Sequence, residues 1–166
     1  MNIFKKKEIK KEVVNLTVDD LVLMTMLNFP EGALGESSIH EFLYNITSTD
    51  EFRVYNGILD FEQCGETYYS PYVHRSIESN TKYLGRQIIH SESTTTSAML
   101  SDDLRFDYYD TVRKREIEFA KHIPGYSPRI YYLSAIGHSV AILVLTQKLT
   151  EEQRTIVDKL SELIHI

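Results

Sequence analysis

The stretch from Tyr69 to His90, YSPYVHRSIESNTKYLGRQIIH, carries the strongest local signals in this chain of 166 residues. Ser70 is a favourable N-cap, Pro71 suits the first helical position, and Gly85 suits the left-handed residue just past a helix end. The apolar side chains of this segment collect on one helical face, at Val73, Ile77 and Leu84. The stretch therefore predicts a capped amphipathic helix that ends before Gly85.

Two further helices are predicted upstream of this stretch. Thr17 is an N-cap with Asp19 and Asp20 in the first turn, and the apolar residues up to Leu27 predict a buried helix. The segment from Ser38 to Glu41 fits a capping box. The apolar residues that follow it have helical spacing, at Ile39, Phe42, Leu43 and Ile46.

Downstream of Gly85 the pattern changes to strands. Residues Arg86 to Glu92 predict a strand, residues 91–97 are a polar stretch, and Leu104 to Tyr109 alternate as a second strand would. The interval between the two strands is longer than most hairpin loops. These residues predict a long, two-stranded wing.

The remaining residues predict mainly helix. A charged helix is expected from Val112 to Ile123, and Thr150 to Gln153 fit a capping box at the start of a closing helix. The apolar run from Ile130 to Leu145 fits either two strands or one buried helix, and we favour the helix. The closing helix has apolar positions on more than one side, which predicts a homodimer surface.

The charge of the chain is unevenly distributed. Its net charge is −6, but the first twelve residues hold five lysines and two glutamates, a net charge of +3, so the remainder carries −9. Residues 1–16 therefore predict a basic arm that contacts phosphates or serves as a solvated leader. The acidic body repels nucleic acid at long range and demands a local basic face for any DNA binding.

Other features of the composition concern the compartment. Cys64 is the single cysteine, so no internal disulfide forms, which fits a reducing, cytoplasmic environment. The first residues do not have the order of a signal peptide. The longest apolar stretch, Ile130 to Thr146, is short and contains polar residues, so we expect no membrane partner.

The order of three helices and two strands resembles a winged helix-turn-helix protein over residues 17–110. The segments that carry the resemblance are SSIHEFLYNI, SPYVHRSIESNTKYLG, RQIIHSE and LRFDYY. The resemblance implies an α+β, mainly helical fold: a basic arm at 1–16, a winged-helix-like domain at 17–110, and C-terminal helices at 111–166 that pack on it or form a dimer surface. The aromatic-Ser-Pro start of the third helix also resembles phage- and toxin-associated proteins of the Panacea and YwgA type.

This resemblance implies a DNA-binding transcriptional regulator of bacterial or phage type. The third helix would then enter the major groove of double-stranded DNA, its N-terminal residues facing base edges and the others phosphates. The DNA-binding residues expected on this basis are Tyr72, His74, Arg75, Ser79, Lys82 and Arg86. An ordinary solvated helix face that includes Glu78 fits the same residues.

The alternative function is an acidic protein-interaction module, an inhibitor or adaptor without DNA binding or catalysis. The run from Ser101 to Asp110 mixes four carboxylates with aromatic residues, a composition suited to a basic protein surface or to imitation of a phosphate backbone. Catalysis by Cys64 would need a lowered thiol pKa, for which no neighbouring residue provides a signal. The histidines are scattered singly, so we expect no metal, no cofactor and no enzymatic activity.

Overall fold

The computed structural model describes residues 16–29, 33–82, 87–93 and 103–163, so the predicted basic arm lies almost entirely outside the described residues. In chain order the elements are α1 (Val18–Leu27), β1 (Ala33–Gly35), α2 (Glu36–Ile46), a 3-10 turn (Arg53–Tyr55), α3 (Asn56–Leu59), β2 (Glu62–Cys64), β3 (Thr67–Tyr69), α4 (Pro71–Ser79), β4 (Ile89–Ser93), α5 (Asp103–Ala120), β5 (Arg129–Leu133), α6 (Ala135–Leu143), a π-helical turn (Val144–Lys148) and α7 (Glu151–Leu163). The predicted α+β, mainly helical class is confirmed.

Helix α1 lies at the centre of the core, as its nearly continuous apolar sequence predicts. Thr17 caps it through a capping box, in which the Thr17 Oγ1 accepts from the Asp20 amide at 3.1 Å and the Asp20 carboxylate accepts from the Thr17 amide at 3.0 Å. Every residue from Leu21 to Met26 is buried. The helix can be apolar on all sides because α2, α4 and α6 pack around it.

The start of α2 differs from the prediction. The capping box proposed for Ser38 is wrong, because the helix begins at Glu36 with Gly35 as its N-cap and has no side-chain cap from its own segment. Ser38 is instead the third residue of the helix and is buried in its first turn. The predicted apolar face is confirmed, since the residues with helical spacing are all fully buried, at Ile39, Phe42, Leu43 and Ile46.

Helix α4 begins as predicted and ends early. Ser70 caps it, its Oγ accepting from the Val73 amide at 3.2 Å, and Pro71 occupies the first turn. The helix stops at Ser79, and Asn80 is its C-cap, so the predicted extension towards Gly85 is wrong. Residues 83–86, which include the predicted end of this helix and Arg86, lie outside the described residues.

The predicted pairing of the wing is wrong. Strand β4 forms close to its predicted position, but Leu104 to Tyr109 belong to helix α5. A six-residue alternation is too short to distinguish a strand from the first turns of a longer helix. The partner of β4 is β5, which lies between β1 and β4 in an antiparallel sheet. The central strand therefore comes from the part of the chain after residue 110.

The apolar run from Ile130 to Leu145 is neither one helix nor two strands. Its first residues form β5, with Ile130, Tyr131 and Leu133 buried, and the remainder forms α6. Ser134 separates the two elements, because its Oγ accepts from the Gly137 amide at 3.0 Å and so caps α6. The preference for a single buried helix is therefore wrong over the first half of the run, and over the second half the helix leaves Ile136, Ile142 and Leu143 exposed.

Helix α7 starts at the predicted capping box. The Thr150 amide donates to Gln153 Oε1 at 3.0 Å, and the Gln153 amide donates to Thr150 Oγ1 at 3.1 Å. Val157 is fully buried, and Ile156 and Leu160 pack against the core. One apolar side of α7 is thus used within the chain.

Candidate functional site

Four of the six predicted DNA-binding residues share one exposed surface on α4 and just beyond it. Tyr72, Arg75, Ser79 and Lys82 line the same shallow depression, and Tyr72 is 42% exposed. The Arg75 guanidinium carbon lies 5.0 Å from the centre of the Tyr72 ring, at cation–π distance. Two carboxylates, Asp19 and Glu78, line this depression as well, so its cations are balanced by acids. Arg86 lies outside the described residues.

His74 does not line this depression, because its ring turns towards a buried carboxylate, and its assignment to a DNA surface stays a prediction. Its Nδ1 lies 2.7 Å from Glu36 Oε2, and its side chain is 25% exposed. The hydrogen bond to Glu36 raises the pKa of His74 above its ordinary value, against the opposing effect of burial. His74 is adjacent to the buried Val73, so it lies at the edge of the buried face of the helix. From this position its ring can contact Glu36 in the protein interior.

The Glu36 carboxylate is fully buried and is surrounded by donors. His40 Nε2 lies 2.9 Å from Glu36 Oε2, and the Tyr131 hydroxyl donates to Oε1 at 3.4 Å. His40 Nδ1 accepts from the Ser70 amide at 3.1 Å, which assigns the proton to Nε2 and makes it the donor to Glu36. Burial raises the pKa of Glu36, but the hydrogen bonds from His40 and His74 outweigh it and hold that pKa below its ordinary value.

A second buried carboxylate, Glu116 of α5, caps the N-terminus of α2. It accepts hydrogen bonds from the Glu36 amide at 2.9 Å, the Ser37 amide at 3.1 Å, the Ser37 hydroxyl and the Tyr126 hydroxyl at 2.8 Å. A carboxylate at this position satisfies helix amides that have no partner within the helix, and it matches the helix dipole. Burial, opposed by the hydrogen bonds from Ser37 and Tyr126, raises the pKa of Glu116.

Gly35 makes this arrangement possible. A Cβ atom at position 35 would lie 2.1 Å from the carboxyl carbon of Glu116, closer than any real contact allows. The two carboxylates and two histidines of this region are all bonded to protein groups. They join α2 to α4, α5 and β5, and we interpret them as a structural network that fixes these elements. Sequence reasoning missed Glu36 and Glu116, because they are 80 residues apart and neither belongs to a local motif.

A cleft lies next to this network, between α2, the β2–β3 hairpin and α5. Its volume is about 420 Å³, within the range of small-ligand and side-chain pockets. We call it the hairpin cleft. Its lining residues are Ser37, Glu41, Tyr44, Asn45, Glu66, Thr67, Tyr68, Arg115, Glu118, Phe119 and His122.

Three aromatic side chains are among the residues that line the hairpin cleft. The rings of Tyr44 and Tyr68 stack with their centres 3.6 Å apart and an angle of 7° between their planes. Phe61 meets the Tyr44 ring edge-on, which supports the stack from the hairpin side. Phe119 of α5 contributes a third aromatic side chain to the lining. The cleft therefore combines aromatic rings with charged residues.

Carboxylates outnumber cations among the lining residues. Arg115 forms an ion pair with Glu41, so these two charges balance each other. Glu118 is 65% exposed and pairs with Lys121 on the surface of the same helix. Glu66 lies in the hairpin turn and forms no ion pair with any residue that the structure describes. The hairpin cleft thus has a net negative charge and a carboxylate that is free to bind a cation.

The other sequence candidates occupy ordinary positions. Arg113 and Lys114 pair with Asp110 at 3.2 and 3.1 Å, as a charged helix face does. Burial, with the charge of Glu62, raises the pKa of the Cys64 thiol, which opposes formation of the reactive thiolate.

Two kinds of site are absent from the described ranges, namely a metal site and a membrane-spanning helix. These ranges contain no group of three or more His, Cys, Asp or Glu side chains placed to hold a metal ion. Within the same ranges, every helix is too short or too polar to cross a membrane. Comparison of the chain with protein-family models, with curated proteins and with solved structures found no match.

Proposed function

We propose that this protein is a non-catalytic interaction module that binds a partner protein in the hairpin cleft. The observation that carries the proposal is the carboxylate of Glu66, which pairs with no cation among the described residues and lies in a cleft lined partly with aromatic rings. Aromatic residues are enriched at protein interfaces, where they bury a large area at a small cost in conformational entropy. A protein whose body carries a net charge of −9 also attracts basic partners at long range.

The network next to the cleft supports this function. Ser37 lines the cleft and is held by Glu116, while Arg115 precedes Glu116 in the same helix. Two walls of the cleft are therefore joined by buried hydrogen bonds. A docking surface that is already rigid loses little conformational entropy when a partner binds.

Site-specific photo-crosslinking tests the proposal. A photoreactive amino acid replaces Asn45, an exposed residue that lines the cleft, and in a matched control it replaces Thr155, which is exposed on α7. We expect a protein from native host cells to crosslink through position 45 and not through position 155. That protein, once purified, should bind the unmodified chain and lose affinity for the Glu66→Lys variant. Equal crosslinking at both positions, or binding that Glu66→Lys leaves unchanged, would contradict the proposal.

A second candidate function is DNA binding through α4, favoured by the common exposed surface of Tyr72, Arg75, Ser79 and Lys82. Fluorescence anisotropy with random duplex DNA between about 50 and 200 mM salt tests it, because binding driven by phosphate contacts falls steeply over that range. If this function is correct, the Arg75→Ala/Lys82→Ala variant reduces the salt slope by about two, since each phosphate contact contributes roughly one.

The matched control for the DNA experiment removes two other exposed cations, Arg154 and Lys159 of α7. The control variant has the same net charge as the α4 variant, so general electrostatic attraction is weakened equally in both. Loss of affinity confined to the α4 variant supports DNA binding at this surface. Equal effects of the two variants, or no binding at low salt, exclude this surface as a DNA-binding site.

A further inference from the structure

We infer that the hairpin cleft binds the guanidinium group of an arginine side chain on the partner. The inference rests on the proposed function, because it names the chemistry that the docking surface recognises. Three properties of the cleft carry it: its size, the surplus of carboxylates and the aromatic lining.

The volume of the cleft suits a side chain and its immediate neighbours. About 420 Å³ accommodates a small ligand or one long side chain with part of its backbone, and it is far too small for a folded element. The cleft lies between a helix, a hairpin and a second helix, so an entering side chain would be surrounded on several sides. This geometry favours an extended partner segment that inserts one anchor residue, the arrangement typical of interface hot spots.

The charges of the cleft select a cation. Glu41 is already paired with Arg115, which leaves Glu66 and Glu118 as the carboxylates that can receive a new positive charge. Glu118 pairs with the exposed Lys121 on its own helix. Exposed ion pairs of this kind contribute little to stability, so an incoming cation can replace Lys121 as the partner of Glu118. An anionic ligand would meet repulsion from both carboxylates.

The aromatic lining favours guanidinium over ammonium. A guanidinium group is planar, weakly hydrated and able to stack on aromatic rings while it donates two parallel hydrogen bonds to a carboxylate. Tyr68, Tyr44 and Phe119 provide the rings, and Glu66, two residues before Tyr68, provides a carboxylate. Arg75 already lies 5.0 Å from the ring centre of Tyr72 elsewhere in this protein, so the same stacking chemistry is present on its surface.

Peptide titrations followed by NMR test the inference. The probe is a short, flexible Gly-Ser peptide with one central arginine, and the matched peptides carry lysine, citrulline or glutamate at that position. Citrulline has nearly the shape of arginine without its charge. We expect shifts of cleft resonances with the arginine peptide, weaker binding of the lysine peptide, and no binding of the citrulline and glutamate peptides. Equal affinity for arginine and citrulline, or tighter binding of lysine, would overturn the inference.

Variants of the protein locate the binding group. Glu66→Gln keeps the shape of the side chain and removes its charge, and it should weaken arginine-peptide binding about three- to five-fold, as expected for a partly exposed ion pair. Glu151→Gln, an exposed change on α7, is the matched control and should leave the affinity unchanged. An equal affinity of the Glu66 variant and the wild type would overturn the assignment to this cleft.

The two proposals fail in different ways. If a partner crosslinks through position 45 and the arginine peptide does not bind, the cleft is a docking surface for another chemistry and the guanidinium inference is wrong. If the arginine peptide binds in the cleft but no host protein crosslinks there, the inference about the ligand group holds and the proposed partner function fails. Crosslinking and arginine selectivity together support both.

Discussion

Replacement of Glu116 by alanine tests whether a side chain from a distant helix forms the N-cap of α2. The carboxylate accepts from two buried backbone amides, at 2.9 Å from Glu36 and 3.1 Å from Ser37. Each buried donor left without an acceptor costs about 1–3 kcal/mol. Loss of both acceptor contacts therefore costs about 2–6 kcal/mol, and removal of a buried charge offsets part of that cost. We expect the free energy of unfolding to fall by about 3 kcal/mol, in the lower half of those limits because of that offset.

Urea denaturation followed by far-UV circular dichroism measures this loss, since the chain has no tryptophan for fluorescence. Glu118→Ala is the control on the same helix. It removes a carboxylate that is 65% exposed and pairs with Lys121, so it should change stability by less than about 0.5 kcal/mol. Hydrogen exchange gives a local readout, because the amides of Glu36 and Ser37 should lose protection in the Glu116 variant and keep it in the control.

One result would refute the reasoning directly. If Glu116→Ala destabilises the protein by less than about 1 kcal/mol, the two amides have another acceptor and the carboxylate is not their cap. The same conclusion follows if both variants lose stability equally, since the effect would then come from general changes in α5 and not from the buried contacts.

Three more predictions concern the same network and the hairpin, and urea denaturation measures each of them. Because the pKa of His74 is raised in the folded state, its bond to Glu36 stabilises the fold fully below about pH 6.5, and this contribution is lost as the pH rises through the folded-state pKa. Because the pKa of Glu36 is lowered, the contribution of Glu36 is lost as the pH falls from about 4.5. His74→Gln should therefore flatten the alkaline side of the stability curve, and an unchanged curve would contradict the pairing. Gly65→Ala should cost about 1–2 kcal/mol because Gly65 has φ +64°, and a neutral effect would show that the turn relaxes freely. Ser70→Ala removes the cap of α4 and should cost about 1–2 kcal/mol, whereas a loss below about 0.5 kcal/mol would mean that the cap is dispensable.

Local capping signals were reliable in this chain. Thr17, Ser70 and Thr150 all begin helices at the predicted positions, because a cap and the amide that it satisfies are three residues apart in the chain. Ser38 shows the limit of such a signal. Its segment has the composition of a capping box, but the helix starts three residues before the position that this box predicts, where Glu116 supplies the acceptor.

The strand predictions failed where pairing partners are distant. Residues 86–92 predicted a strand correctly over most of its length, but the partner proposed for it at 104–109 is helical. Backbone hydrogen bonds of a sheet do not depend on side-chain identity, so a sequence pattern can indicate a strand without naming its neighbour. The partner of this strand is β5, which forms the first part of the apolar run that the sequence predicted as one helix.

The positions of the candidate site residues were likewise predictable only where they depend on local helical spacing. The helical spacing of Tyr72, Arg75, Ser79 and Lys82 was readable from the chain, and these residues do share one exposed surface. His74 does not line that surface, because its side chain is drawn inward by Glu36, a residue 38 positions earlier. No periodicity predicts which polar residue of a helix will meet a buried partner from another element.

The sequence by itself determined the α+β class, the starts of three capped helices, the apolar faces of α1 and α2, and the acidic charge of the body. These properties depend on residue composition and on contacts within about one helical turn. Only the tertiary structure decided the order of the sheet, the cap on α2, the inward position of His74 and the hairpin cleft. Each of these depends on groups brought together from distant parts of the chain, and Glu36 and Glu116, at the centre of the network, meet across 80 residues.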